Sequence, residues 1–413
     1  MTGAYDVAIV GAGAAGLVTA IAAARVGPVK ILLLDGREKV GAKILMSGGT
    51  RCNITNVKVS LSDFQTETPR TVRNILRSFP PERTKVFFEE LGVAFVLEEG
   101  GKYFPSTHSG RTVLEALLTA VKSSGVELKT NRKVTWARRD TDVFHLGGEG
   151  FEFTARTLIL CSGGLSYPAT GSDGTGYEIA GSLGHDLIPQ TPALTPLLTD
   201  DTDWHALSGV TVDCRLELLV SGQKKAEYTG SFLFTHKGFS GPAVLDISRH
   251  WLRSREAPGR FLRVSFLPKK NENEFREKLI AESAQNPKKS LKRFLASELP
   301  ERLAEVLFKK AGMDSGLILN QLSRDSREAL IRTLFYCPLQ VSGSAGYAKA
   351  EVTAGGVDLP GVDAQTLESL KVPGLYFAGE ILDVDGRIGG FNFQWSWASA
   401  HAAGVAAAKK VLG

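Results

Sequence analysis

The sequence predicts an α/β protein in which a dinucleotide-binding domain is split by a large insertion. Three observations carry this expectation. A buried strand, a glycine-rich turn and an Ala-rich helix open the chain over residues 5–26. A Gly- and Ala-rich texture returns near residue 341, after a long charged stretch. Pro189, Pro192 and Pro196 cluster at the other change of texture, which reads as a domain crossing. The expected segments are 1–190 and 342–413, forming one domain, and 191–341, forming the insert.

The elements follow in order. YDVAIV at 5–10 suits a buried strand, an Ala-rich helix runs from about Ala14 to Val26, and KILLL at 30–34 is a second buried strand. Helices are expected near 69–79 and 81–91, each with a proline at its start, and over 111–123 with Ser109 as cap. Strands are expected at 126–130 and 133–139, a hairpin at 142–154 and a further buried strand at 157–161. Residues 208–234 alternate like paired antiparallel strands, and 269–336 are charged and helical.

Composition excludes several classes. With 413 residues, 43% hydrophobic and 23% charged, the chain is globular and long enough for two or three domains. Lys and Arg number 49 against 44 Asp and Glu, with no long basic run, so nucleic acid is not the expected partner. Cys52, Cys161, Cys214 and Cys337 form no C-x-x-C pair, which argues against a disulfide scaffold or a zinc site; no metal is expected. Residues 7–24 are apolar like a signal-peptide core, yet Asp6 precedes them, no basic residue does, and glycines interrupt them. No stretch of about 20 apolar residues remains to span a membrane. A cytoplasmic protein is expected.

The motif Gly11-Ala12-Gly13-Ala14-Ala15-Gly16 lies between the first strand and helix. Gly11 permits the tight turn, Gly13 lets the backbone approach a pyrophosphate, and Gly16 lets helix and strand pack closely; this is the Rossmann fingerprint. Asp35 ends the second strand, where its carboxylate can accept ribose hydroxyls. A second signal lies far downstream. Leu375–Ala378 reads as a strand, followed by Gly379, Glu380 and Asp383, similar to a signature of glutathione-reductase-like flavoproteins. A strand followed by Ser162-Gly163-Gly164 resembles their internal marker. Together these favour FAD over a nicotinamide cofactor. A helix opening at Gly390-Phe391-Asn392-Phe393 would point its positive end at the flavin. Lys43 and Arg51, in the glycine-rich run that carries Ser47, Gly48, Cys52 and Asn53, either neutralise phosphate or are solvated cations.

The runs SGGTRCNITN, SGGLSYPATGSDGTGY, FTHKGFSGPAVLDIS and AGEILDVDGRIGGFNFQWSWASA together resemble the BaiN/YhiN-like family of bacterial NAD(P)/FAD-dependent oxidoreductases, over essentially the whole chain. The resemblance implies a Rossmann-type FAD-binding domain split by an inserted β-barrel plus helical domain. It implies FAD contacts at Gly11 to Gly16, Asp35, Lys43, the Ser47–Asn53 loop, Gly379, Asp383 and the 390–393 helix start, with the Val134 backbone meeting the adenine. The chain departs from the family in two places. Thr50 replaces the third loop glycine, so a positive φ there would be strained. Asp35 replaces the commoner Glu and shortens its reach.

The flavin carries the redox chemistry and the protein supplies orientation and protons. Tyr167 and Arg387 are the candidate catalytic residues, with His236 and Lys237 as further proton-donor candidates. Gly171 to Gly176 reads as a loop entering a helix at 177–183 rather than a second nucleotide site. The expected activity is FAD-dependent oxidation or reduction of a small organic substrate, the flavin being reduced by NADH or NADPH or by substrate with oxygen as acceptor. The alternatives are an FAD-dependent RNA-modifying enzyme, suggested by the Lys/Arg-rich 269–310 stretch, and a flavin-binding redox sensor.

Overall fold

The first strand (Ala4–Val10) lies between Ile31–Leu34 and the long strand Phe151–Leu160, parallel to both, with Val7 opposite Ile31 and Thr157. Glu127–Lys129 extends the sheet parallel to Ile31–Leu34, and Leu375–Phe377 pairs parallel with Leu158–Leu160. These strands are apolar on both faces, as strands covered on both sides are; Val7, Ile9, Leu32, Leu33 and Ile159 are fully buried. The expected hairpin and the expected strand at 157–161 are one feature. Phe151–Leu160 starts as the second arm of the hairpin with Val143–Gly148 and continues into the parallel sheet without a break. The strand expected from 133 begins only at Trp136.

The computed structural model describes residues 4–413, which separate into two compact units, 4–191 with 351–413, and 192–350. In the first unit, Ala14–Ala24 packs against the C-terminal helix Phe391–Leu412. Gly404 makes this approach possible, since a Cβ there would fall 2.5 Å from the Thr19 carbonyl oxygen. Pro69–Ser78 and Pro81–Glu90 carry proline in their first turns, and Ser109 Oγ accepts the Arg111 amide to cap Gly110–Ser123.

The second unit has its own core. Its sheet runs Cys337–Leu339, Phe261–Ser265, Thr211–Val220, Gln223–Thr235, Gly238–Ser240, Leu197–Leu198, Gly343–Ser344, each antiparallel to the next. Trp204, Phe232, Phe234, Phe239 and Phe266 fill it, with Trp204 stacked on Phe234 at 5.5 Å. The charged stretch forms helices Glu272–Gln285, Leu291–Leu295, Glu301–Lys310 and Arg324–Phe335. Among the described residues no helix is long and apolar enough to cross a membrane.

Candidate functional site

The glycine-rich turn is built by close backbone approach. Gly11 has φ 100°, and a Cβ there would lie 2.5 Å from the Cys161 carbonyl oxygen. A Cβ at Gly16 would fall 1.7 Å from the Gly11 oxygen. Gly13 is different: its missing Cβ faces open space, and as first cap of Ala14–Ala24 it leaves the helix amides without a side-chain partner. An uncapped helix start beneath open space suits an anionic group. Ala15 is buried against Gly379, which must be glycine because its φ is 80° and a Cβ there would fall 2.7 Å from Ala15 Cβ.

Asp35 holds the turn from the other side. Its Oδ2 accepts the Ala12 amide at 2.8 Å and its Oδ1 the Arg37 amide at 2.8 Å. A carboxylate has about four acceptor positions, so two remain for hydroxyl donors. The Arg132 amide bonds to the Asp35 carbonyl at 2.8 Å, which brings buried Val134 beside the end of this strand.

Lys43 is engaged within the protein. Its Nζ lies 2.5 Å from Glu380 Oε2 and 2.6 Å from Ser166 Oγ, with both side chains largely covered. Glu380 Oε1 also accepts from Ser166 Oγ and from the Thr353 amide, and Thr353 Oγ1 accepts the Leu165 and Ser166 amides. The cluster locks the segment after Gly163 to the one after Gly379. Nothing in short-range sequence signals it, because its members come from four distant segments. Arg51 likewise has its own partners: it grips Glu98 through Nη1 at 2.8 and 3.1 Å and lies 4.2 Å over the Phe104 ring. The guanidinium therefore braces the loop.

That loop is left-handed at Gly48, Gly49, Thr50 and Cys52, with φ of 56°, 66°, 72° and 62°. Thr50 occupies the conformation that a β-branched residue resists, and its carbonyl accepts the Gly110 amide at 2.8 Å. The Ser47 carbonyl accepts the Cys52 amide at 3.1 Å. Cys52 is wholly buried, and burial pushes its thiol up to about 12, so it is held as the thiol rather than the thiolate at neutral pH.

From Asn53 onward the loop is stitched to the start of the C-terminal helix. Trp397 Nε1 donates to the Ile54 carbonyl at 2.9 Å. Thr55 Oγ1 donates to Gln394 Oε1 at 2.6 Å, and Asn56 Nδ2 to the Gly389 carbonyl at 3.2 Å. Gln394 is fully buried, takes a second hydroxyl from Thr84 and donates to the Phe79 carbonyl at 2.7 Å. Gly390, φ 94°, caps the helix without a side-chain bond, and a Cβ there would strike Thr55 and Asn53. Phe391 is buried, Asn392 bonds both the amide and carbonyl of Gly386, and Phe393 stacks on Trp397 at 5.1 Å. Asn53 Oδ1 is buried and has no hydrogen-bond partner. Asp383 is buried, and its amide bonds the Val357 carbonyl.

Of the two catalytic candidates, Arg387 is anchored through its side chain and Tyr167 through its backbone. Tyr167 has φ 49° at the head of the Pro168–Thr170 turn, and burial together with the Glu351 carboxylate raises its phenol. Arg387 Nε donates to Asp63 Oδ1 at 2.7 Å, its amide bonds the Asp63 carbonyl, and its guanidinium covers the Phe391 ring at 4.2 Å. Asp63, which no sequence motif singled out, is thus the residue that aims Arg387. Gly171 to Gly174 is a loop that enters Thr175–Ser182.

The glycine cradle, the two uncapped helix starts and the partnerless Asn53 oxygen fit a nucleotide-linked ring cofactor such as FAD. The family described as the HI0933-like protein Rossmann domain matches residues 5–406. The 3-dehydro-bile acid delta(4,6)-reductase of Clostridium scindens is 35% identical over 98% of this chain and 99% of its own length. The ribosomal RNA dihydrouridine synthase of Escherichia coli is 35% identical over 96% of each chain. Among solved structures, quinol fumarate reductase FrdA of E. coli superposes with TM-score 0.53 at 17% identity, over 100% of this chain and 71% of that one, a likeness of fold.

Proposed function

The chain belongs to the HI0933-like Rossmann-domain family, and from that premise we propose that it is an FAD-dependent reductase saturating a carbon–carbon double bond conjugated to a carbonyl, with NADH or NADPH as electron donor. One observation carries the reading. Two full-length relatives bear names for different substrates that both describe reduction of carbon–carbon double bonds, in a 3-dehydro-bile acid and in the uridine of ribosomal RNA. Bound FAD supplies the hydride for such a change. This chain's residues supply the rest. The helix starts at Gly13 and Gly390 favour negative charge, the first at the phosphates and the second at the ring. Tyr167, its phenol raised, stays protonated at neutral pH and is the proposed proton donor. Arg387, fixed by Asp63, is the proposed contact to the substrate carbonyl. The buried cysteines argue against dithiol chemistry and support a cytoplasmic setting. The boundaries at 190/191 and 341/342 and the barrel character of the insert belong to the same reading.

A small enone is the first substrate class. A base in RNA is the second, and charge favours it: residues 192–350 hold 24 Lys and Arg against 18 Asp and Glu, while the rest hold 25 against 26. The test is anaerobic titration of the FAD-loaded protein with NADH and with NADPH, following flavin absorbance. Bleaching by either, reversed by an enone or by uridine-containing RNA, is the expected result. A flavin that stays oxidised with both donors overturns the reductase and sends the search to substrates oxidised with oxygen uptake. A salt-dependent RNA mobility shift separates the two substrate classes.

A further inference from the structure

Four consecutive residues, Asn53 to Asn56, run along the start of the C-terminal helix, and three of them are bonded to residues between Gly389 and Trp397. Asn53 is the exception. It is nine-tenths buried, its Oδ1 has no partner, and it sits where a Cβ on Gly390 would come within 2.9 Å. Buried side-chain acceptors are almost always satisfied, and one left open in a fully stitched segment is a place kept for a donor from outside. Next to it, the amides of Phe391, Asn392 and Phe393 open a 22-residue helix with no side-chain cap and no acid in the first turn.

The two features define a complementary edge. A ligand must present acceptors to the helix amides and, beside them, one N–H to Asn53. A cyclic imide, with its carbonyl, N–H and carbonyl in sequence, has that order. We propose that Asn53 Oδ1 accepts the imide N–H of the flavin ring, with an imide carbonyl on the Gly390–Phe393 helix start. The assignment rests on the FAD reading above and names the contact that fixes the ring's orientation. A pyrimidine substrate carries the same imide chemistry, so the experiment separates the two sources.

Binding of FAD and of FAD methylated at the imide nitrogen is measured by flavin fluorescence on the intact chain, for wild type, Asn53→Leu and Asn53→Asp. Methylation weakens binding to wild type about tenfold, the worth of one hydrogen bond. Asn53→Leu binds FAD about tenfold more weakly and no longer distinguishes the two flavins. Its unliganded melting temperature is equal or higher, because an unsatisfied buried acceptor has gone, and a purely structural role for Asn53 would lower it. Asn53→Asp keeps an acceptor and keeps the discrimination. Equal methylation penalties in wild type and Asn53→Leu overturn the assignment. If, besides, uridine binds the FAD-loaded wild type more tightly than the FAD-loaded Asn53→Leu, the imide belongs to the substrate instead. A wild-type chain that takes up no FAD overturns the cofactor reading itself, before any variant is compared.

Discussion

Gly13 and Gly16 lie three residues apart, and a methyl group has opposite consequences at each. At Gly16 it meets the Gly11 carbonyl oxygen at 1.7 Å, so Gly16→Ala must push strand and helix apart. The expected result is a lower melting temperature and no flavin after purification, read from the ratio of visible to ultraviolet absorbance. At Gly13 the methyl meets nothing. Gly13→Ala is expected to leave the unliganded stability within about 1 kcal/mol, the usual span for a helix cap, while weakening FAD at least about tenfold. Thr50 presents the reverse case. With φ 72° it holds a β-branched side chain where glycine is at ease. Thr50→Gly is expected to stabilise the chain by about 1 kcal/mol in urea unfolding, relief of strain exceeding the entropy lost by glycine.

At the scale of elements, helix Thr175–Ser182 ends on a titratable anchor. The Ala180 carbonyl accepts the His185 amide, and His185 Nε2 lies 2.7 Å from Ser369 Oγ. Ser369 Oγ already accepts the Lys371 and Val372 amides, which leaves its own proton for Nε2. Burial, with Lys371 nearby, lowers this histidine to about 4. Between its ordinary value near 6.5 and about 4 the unfolded chain takes up a proton that the folded chain does not. Stability therefore falls as pH drops through that window, and His185→Asn is expected to flatten the acid limb of a melting-temperature profile. Elements were legible in the sequence wherever one local rule decided them. Proline in the first turn announced Pro69–Ser78 and Pro81–Glu90, and the Ser109 cap announced Gly110–Ser123. Local reading failed where an element serves two partners: Phe151–Leu160 is a hairpin arm and a central parallel strand at once, and its sequence marks no boundary between the roles. The candidate site divides the same way. Its glycines were legible because each carries a backbone constraint. Lys43, Glu380, Ser166 and Thr353 meet across more than 300 residues, and Asp63 and Gln394 reach Arg387 and Thr55 across distances as long.

At the scale of the whole molecule, two units with separate cores predict two unfolding events. Calorimetry is expected to resolve two transitions, and FAD at about one hundred times its dissociation constant should add about 2.7 kcal/mol to one of them only. A single transition that moves as a whole would show that the units unfold as one. The split also imposes an order of manufacture. Residues 192–350 are synthesised, with their core complete, before Gly379, Glu380 and the helix from Phe391 leave the ribosome. The first strand and its glycine turn, made at the outset, wait through the whole of that interval for the helix that packs on them. The cradle is thus the last part of the chain to close, and a nascent chain cut short between residues 351 and 378 carries a finished insert beside half a nucleotide site.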